Sequence, residues 1–190
     1  MKLTLILLAV VAVGQLGIPG YMIHRQEQTL REGRAYKFKT APVDPYDAFR
    51  GRYVALRYAQ DHAAWTGTNV VRRMPAFATV VEGTDGFAVV SELALTRPAA
   101  GDFLRVMVHY SGWGTNAGMA YFTLPFDRYY MEETKAPMAE RAYWDNNRRG
   151  QTNLNTYALV RIRQGHGVLE ELFVDGRPIR DVVRERQKEP

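Results

Sequence analysis

The sequence predicts an α+β protein in which an N-terminal transmembrane helix is followed by one mostly antiparallel β-sheet domain with one or two short helices. Three observations lead to this prediction. A long uncharged run opens the chain, short segments of alternating apolar and polar residues follow it, and glycine-containing turns separate those segments. The chain has 190 residues, of which 46% are hydrophobic and 24% charged. These values are typical of one globular domain.

The first element is the uncharged run from Leu3 to Ile23. A helix of about 20 residues spans roughly 30 Å, the hydrocarbon thickness of a bilayer. We therefore predict that residues 3–25 form an uncleaved, signal-like membrane anchor and residues 26–34 its polar helical extension. One alternative is a secretory signal cleaved near Ala12-Val13-Gly14. A buried core helix is disfavoured because the run has no polar face.

The charges around this run bear on which side of the membrane the body lies. Basic residues after the run outnumber those before it, which favours a cytoplasmic body. The very short, weakly basic N-terminus favours export, and long domains translocate largely regardless of charge. We predict an inner-membrane protein whose body lies outside the cytoplasm.

Residues 35–190 are predicted to form a single β-rich domain. The expected strands are Tyr36–Thr40, Tyr53–Tyr58, Phe77–Val81, Phe87–Leu95, Phe103–Tyr110, Met119–Leu124, Asp127–Met131, Thr156–Arg163 and Val168–Val174. One helix is expected to begin near Pro137 and to end at Gly150, where helix-ending signals occur. A second, Ile179–Lys188, has apolar residues at helical spacing and is expected to cap the sheet.

Composition excludes several classes of function. The chain has no cysteine, which excludes disulfides, thiolate catalysis and cysteine-bound metal clusters. Its net charge of +5 is spread over a surface of mixed sign, so no nucleic-acid partner is predicted. The four histidines are scattered, and we expect His166 to lie in an exposed hairpin loop. Neither serine, Ser91 or Ser111, lies in a nucleophile-elbow pattern. We expect no catalytic residue, metal or cofactor.

The stretch PVDPYDAFRGRYVALRY, from Pro42 to Tyr58, has the strongest local signals in the chain. Its prolines fix φ, and its aspartates accept hydrogen bonds from nearby backbone N–H groups, so we predict an ordered structural corner leading into a strand. On a regular strand Leu56 and Tyr58 share one face and Tyr53 the other. The residues predicted to build this corner are Pro42, Asp44, Pro45, Asp47, Arg50, Gly51, Tyr53, Leu56 and Tyr58.

Two functions follow from these patterns. The first is a membrane-anchored, extracytoplasmic interaction or assembly module, with Trp113 and Trp144 as candidate ligand contacts. The alternative is a hydrolase-like enzyme of the cell envelope that uses a charged cluster of Asp44, Asp47 and Arg50.

The same stretch carries a resemblance to a known family. With its opening T-A-P-V-D-P and its closing G-x-Y-x-x-L-x-Y, it resembles the GDYXXLXY family of bacterial proteins. Gly51, Tyr53, Leu56 and Tyr58 match the name, and Arg52 stands where the name has aspartate.

The resemblance continues in weaker form at Tyr129–Glu133, at Glu140 and in the Gly167–Gly176 pattern. It implies a bacterial membrane-associated protein with an N-terminal hydrophobic segment and a multi-pass membrane protein as partner. It implies no particular activity.

Overall fold

The computed structural model describes residues 2–41, 53–67, 72–111, 118–132, 134–146 and 156–187, without the side chains of residues 2–6, 9–10 and 144–146. Three helices and twelve strands occur in these ranges. The helices are α1 (Lys2–Glu32), α2 (Ala136–Asn146) and α3 (Ile179–Arg186). The strands are β1 (Arg34–Ala41), β2 (Tyr53–Ala55), β3 (Arg57–Tyr58), β4 (His62–Trp65), β5 (Arg72–Glu82), β6 (Ala88–Ala94), β7 (Asp102–Ser111), β8 (Met119–Thr123), β9 (Arg128–Tyr130), β10 (Tyr157–Arg163), β11 (His166–Val174) and β12 (Arg177–Pro178).

The N-terminal segments, predicted as an anchor and its polar helical extension, form the single continuous helix α1, with Pro19 inside it. Among the described residues, no helix combines the length and the apolar character needed to cross a lipid bilayer. The helix ends at Glu32, and the N–H of the following residue, Gly33, donates a 2.9 Å hydrogen bond to the backbone oxygen of Thr29. A methyl group at Gly33 would lie 2.4 Å from that oxygen, so a residue without a side chain is needed at this end.

Two arginines of β10 attach the last turns of α1 to the body. Arg161 donates a 3.3 Å hydrogen bond to the backbone oxygen of Gly33. Arg163 forms an ion pair of 2.9 Å with Glu32 and donates a hydrogen bond of 3.2 Å to Gln28. The buried residues of β10 itself, Ala158, Val160 and Ile162, face the opposite side of the strand. The alternation of this strand therefore separates a core face from a face that holds the helix.

The strands form three β-structures within the predicted β-sheet domain. A five-stranded antiparallel sheet has the order β12-β11-β10-β1-β3, a small ribbon pairs β2 with β9, and a closed barrel has the order β4-β6-β5-β7-β8. The barrel was not predicted: β4, a strand missing from the prediction, pairs in parallel with β6 and antiparallel with β8 and so closes it. The β-rich class of the domain is confirmed.

The β10–β11 hairpin connects the sheet to the barrel. Its turn, Gln164-Gly165, has φ values of 51° and 80°, the positive values that suit a tight two-residue hairpin. The backbone oxygen of Gly165 accepts a 3.0 Å hydrogen bond from the N–H of Arg105 on β7. His166 is thus half-buried in β11 opposite Arg163, and the expectation of an exposed loop position is wrong. Burial, together with the positive charges of Arg25 and Arg105, lowers the pKa of His166.

The sheet and the barrel share one hydrophobic core, which α2 and α3 help to cover. Tyr143 of α2 and Ile179 and Val183 of α3 are fully buried. The two predicted C-terminal helices are confirmed, although the expected end of α2 at Gly150 lies outside the described residues. Counting α1, the chain has three helices over its described ranges, where one or two were predicted beside the anchor.

Candidate ligand-binding cleft

The last residues of the family-type motif, Leu56 and Tyr58, form the floor of a cleft between the sheet and the barrel. Both are buried. The N–H of Leu56 donates a 2.8 Å hydrogen bond to the backbone oxygen of Asp127. The hydroxyl of Tyr58 donates one of 2.7 Å to the backbone oxygen of Phe126. The motif therefore fixes the connection between β8 and β9 from below.

Aromatic rings surround the buried Tyr58. Its ring meets those of Phe126 and Phe38 edge on, with centroids 5.4 Å and 6.0 Å apart. Burial, and to a smaller degree Tyr143 and Asp127, raises the pKa of Tyr58 well above its usual value. Tyr58 is thus a neutral, hydrogen-bonded phenol with a structural role, and its ring supports the floor of the cleft.

Tyr53 of the motif faces the other way, as the alternation predicts, and does not line the cleft. It lies on the β2–β9 ribbon opposite Tyr130, with ring centroids 5.6 Å apart. The guanidinium of Arg128 lies 5.0 Å from the centroid of the Tyr53 ring. Tyr53 therefore stabilises a two-stranded ribbon through aromatic and cation–π contacts.

The cleft has a volume of about 580 Å³, within the range of small-ligand sites, roughly 300–1,000 Å³. Apolar side chains form its floor and polar groups its rim. It is lined by Leu56, Arg57, Tyr58, Gln60, Asp61, His109, Tyr110, Tyr121, Phe122, Thr123, Leu124 and Asp127.

Two stacked tyrosines form one wall of the cleft. Tyr110 on β7 and Tyr121 on β8 are opposite each other on neighbouring strands of the barrel, with ring centroids 4.6 Å apart and ring planes within 20° of parallel. The ring of His62 on β4 continues the row at 5.5 Å from Tyr121. Tyr110 is 47% exposed, so the Tyr110 end of this row of rings is open to solvent.

A β-bulge creates this surface. The register of β7 and β8 shifts between Val108 and Tyr110, which leaves His109 as the extra residue. His109 and Tyr110 are consequently both exposed, and Ser111 is buried. Strict alternation from the buried Val108 would have placed Tyr110 in the core. Bulges often re-aim a side chain beside a functional site.

Polar groups border the tyrosine wall. Nδ1 of His62 lies 2.7 Å from a carboxylate oxygen of Asp61, and Nε2 of His109 is hydrogen-bonded to the hydroxyl of Thr123. Partial desolvation, Tyr121 and Asp61 raise the pKa of Tyr110. The Tyr110 hydroxyl therefore keeps its proton to higher pH than an ordinary tyrosine and can donate and accept hydrogen bonds.

The charged residues of the cleft are few. Of the described lining residues, Asp61 and Asp127 carry carboxylates and Arg57 carries a guanidinium. Arg72, on β5, is paired with the wall residue Tyr110. These four charges sum to zero, so the described part of the cleft suits a neutral polar ligand better than a polyanion.

A smaller cleft of about 260 Å³ adjoins the first and shares Tyr58, Gln60 and Leu124 with it. The amide of Gln60 separates the two. It donates a 2.8 Å hydrogen bond to the backbone oxygen of Val90 and accepts another of 2.8 Å from the N–H of the same residue. Gln60 thus acts like a strand partner for β6 and fixes the edge of the larger cleft.

A partly buried polar network, which the sequence did not indicate, lies on the far side of the motif. The hydroxyl of Tyr129 donates to Glu171 and accepts a 2.8 Å hydrogen bond from Arg180. Arg180 also lies 3.0 Å from Glu171. Burial and the bond to Glu171 raise the pKa of Tyr129 to about 12. The network joins β9, β11 and α3 and has a structural role.

Most of the predicted corner lies outside the described residues, namely Pro42, Asp44, Pro45, Asp47, Arg50 and Gly51. The charged cluster proposed for a hydrolase-like enzyme falls within that range. Trp113 also lies outside the described residues, and the side chain of Trp144 on α2 is not described. In the described part of the chain, no group of three or more histidine or acidic side chains is placed to hold a metal ion.

An extended exposed apolar surface belongs to α1. Nine large apolar side chains between Leu7 and Ile23 are each more than half exposed. At 100° per residue they are distributed around the whole circumference of the helix. The helix meets the body at its last turns, on β10 and β11. The described side chains between Leu7 and Ile23 therefore offer apolar surface in every direction.

The fold and the cleft define a class of protein: a small β-barrel joined to an antiparallel sheet, carried on a long N-terminal helix. The chain belongs to the GDYXXLXY family, because the family model described as "GDYXXLXY protein" matches residues 15–172. The resemblance seen in Gly51, Tyr53, Leu56 and Tyr58 is thereby confirmed. Comparison with curated proteins and with solved structures found no match.

Proposed function

We propose that the protein is a membrane-anchored binding module, in which lipid surrounds the apolar part of α1 and the β-body projects outside the cytoplasm. The carrying observation is the exposed apolar circumference of α1 between Leu7 and Ile23. A helix that is apolar on every side requires an apolar environment on every side.

The energy of this surface supports lipid as its environment. Burying a large apolar side chain is worth about 1.5–3 kcal/mol, and nine such side chains are exposed along this segment. Their transfer into hydrocarbon outweighs the entropy of confining one helix. The uncharged sequence run from Leu3 to Ile23 has the length of a bilayer core, roughly 30 Å.

The attachment of the helix base supports the proposed role as a binding module. Arg161 and Arg163 hold the last turns of α1 against β10. A body attached in this way follows the helix closely and presents its cleft at a defined height. Such an arrangement suits a module that binds, and the family resemblance makes a multi-pass membrane protein of the bacterial inner membrane the proposed partner.

Alkaline extraction of membranes tests the anchor. We expect the full chain to stay with the membrane pellet, and a chain carrying Val13→Arg and Leu16→Arg to move to the soluble fraction, because each central arginine costs about 2.5–3.5 kcal/mol on insertion. The matched control is His24→Arg with Gln26→Arg, which places two arginines at exposed positions just beyond the apolar run. Release of the unaltered chain at high pH would contradict the anchor.

The side of the membrane on which the body lies and the identity of its protein partner need separate measurements. A C-terminal phosphatase reporter that is active only outside the cytoplasm should be active, and activity of a cytoplasmic reporter instead would reverse the proposed orientation. Purification in mild detergent should recover the protein with a multi-pass membrane protein. Repeated recovery as a lone monomer argues against the partner.

A further inference from the structure

We propose that the cleft between the barrel and the sheet binds a neutral oligosaccharide, with a sugar ring lying on the Tyr110 face of the tyrosine wall. This site does not depend on whether α1 enters a membrane. It rests on the aromatic geometry, the polar rim, the charge of the lining and the pairing order of the barrel.

The aromatic surface has the form that a sugar ring requires. Tyr121 supports the Tyr110 ring at 4.6 Å, and Tyr110 remains 47% exposed. A pyranose ring has a face of C–H groups that packs on a flat aromatic ring, as bases do in single-strand binding sites. A supported ring of this kind loses little side-chain entropy when a ligand is placed on it.

The rim has the groups that sugar hydroxyls need. Thr123 and His109 offer a hydroxyl and an imidazole, and Asp61 offers a carboxylate. The hydroxyl donates and accepts hydrogen bonds, and the carboxylate accepts them. Small-ligand sites combine an apolar floor with a few such polar groups, and Leu56 and Tyr58 supply that floor.

Charge separates a neutral sugar from a nucleic acid. Single-strand binding needs cations that neutralise phosphates. Among the described lining residues Arg57 stands against Asp61 and Asp127, and Arg72 on β5 is paired with Tyr110. These charges balance, so the described residues give no excess of cations for phosphates, and a neutral chain of sugars needs none.

The pairing order of the barrel points to the same place. Starting from β7, the strands pair as β7 with β8, β8 with β4, β4 in parallel with β6, β6 with β5, and β5 with β7. This is the pairing order of an OB-type barrel begun at a different strand. Barrels of that type bind oligosaccharides or oligonucleotides on the face of their second and third strands. By this analogy those strands are β8 and β4, which carry Tyr121 and His62.

Titration calorimetry with maltotetraose and with the tetramer of N-acetylglucosamine tests the proposal. The full chain is kept in a detergent that has no sugar headgroup, because such headgroups would compete. We expect at least one tetramer to bind, and Tyr110→Ala to weaken it about tenfold or more, the usual effect of losing one stacking ring. Tyr110→Phe keeps the ring and should retain most of the affinity.

Controls separate loss of the site from loss of the fold. Tyr130→Ala removes another exposed tyrosine, on β9 and outside the cleft, and should leave affinity unchanged. Tyr110→Leu keeps apolar packing on Tyr121 without an aromatic ring. It should therefore fold normally, as judged by its melting temperature, but lose affinity for the sugar as Tyr110→Ala does. The proposal is overturned if neither tetramer binds at millimolar concentration, if Tyr110→Leu binds as well as the unaltered chain, or if a thymidine 12-mer or an unstructured peptide binds more tightly than both sugars.

Discussion

The hydroxyl of Tyr58 donates a 2.7 Å hydrogen bond to the backbone oxygen of Phe126, and the same two residues meet ring to ring at 5.4 Å. One residue lies at the end of the family-type motif and the other between the barrel and the ribbon. The pair therefore joins the sheet, the barrel and the floor of the cleft through one side chain. Packing and hydrogen bonding at Tyr58 act on the same position of the chain.

Replacing Tyr58 by phenylalanine should lower the free energy of unfolding by about 1–3 kcal/mol, because the buried oxygen of Phe126 loses its donor while the ring packing is retained. Urea denaturation measures this. Tyr130→Phe, at a residue that is 66% exposed, is the control and should change stability by no more than about 0.5 kcal/mol. Equal stability of Tyr58→Phe and the unaltered chain would show that the bond has no net value.

Stability should fall as pH rises from about 10 to about 12. The pKa of Tyr129 is raised from 10.0 to about 12, chiefly by burial and by the bond to Glu171, and that of Tyr36 is raised to the same value by burial and by Asp102. In this window the unfolded chain has released protons that the folded chain still holds. Their stabilising effect is complete below about pH 10 and is lost towards pH 12.

The measurement is the free energy of unfolding at several pH values from 9 to 12. Tyr129→Phe and Tyr36→Phe should each make the decline with pH shallower, and the double variant should make it shallower still. A decline that is as steep in the double variant as in the unaltered chain would mean that other groups cause it.

The strands with clean alternation could be predicted from the sequence. In β10, Ala158, Val160 and Ile162 are buried, while Arg161 and Arg163 face away from them. Such a pattern needs only the two-residue period of a strand. What those arginines hold was not predictable, because their partners at Gln28, Glu32 and Gly33 lie more than a hundred positions away.

The cleft was missed for related reasons. β4 has four residues, too few for a periodic signal, and it gains its place only by pairing with β6 and β8. The bulge at His109 breaks the alternation of β7, and the partner strand determines where that break falls. The motif did indicate Leu56 and Tyr58 as the inward face of their strand, and the structure places both in the floor below the unpredicted wall.

Gly167→Ala should destabilise the joint between the sheet and the barrel. A methyl group at this position would lie 2.7 Å from the ring of Phe126 and 2.8 Å from Leu104. Both side chains are buried, so neither can move aside freely, and we expect a loss of about 1–3 kcal/mol.

Thermal unfolding measures the effect of this substitution. Gly17→Ala is the matched control, because a methyl group there has nothing within 4 Å and alanine favours a helix. A melting temperature for Gly167→Ala equal to that of Gly17→Ala would mean that the joint is looser than these distances indicate.

Arg163→Gln should loosen the base of α1 without affecting the barrel. The substitution removes the 2.9 Å ion pair with Glu32, and a half-buried pair of this kind contributes about 1 kcal/mol or less to global stability. The effect should therefore appear locally, as faster amide hydrogen exchange in residues 26–32 with unchanged protection of β7.

Arg31→Gln is the matched control, because it removes an ion pair with Glu27 that lies within α1 and does not touch the body. Exchange in residues 26–32 should respond less to Arg31→Gln than to Arg163→Gln. If both variants exchange alike, the contact between α1 and β10 does not determine the stability of the helix base. In that case the body would be free to turn about the helix, and the cleft would have no fixed height above the end of the apolar segment.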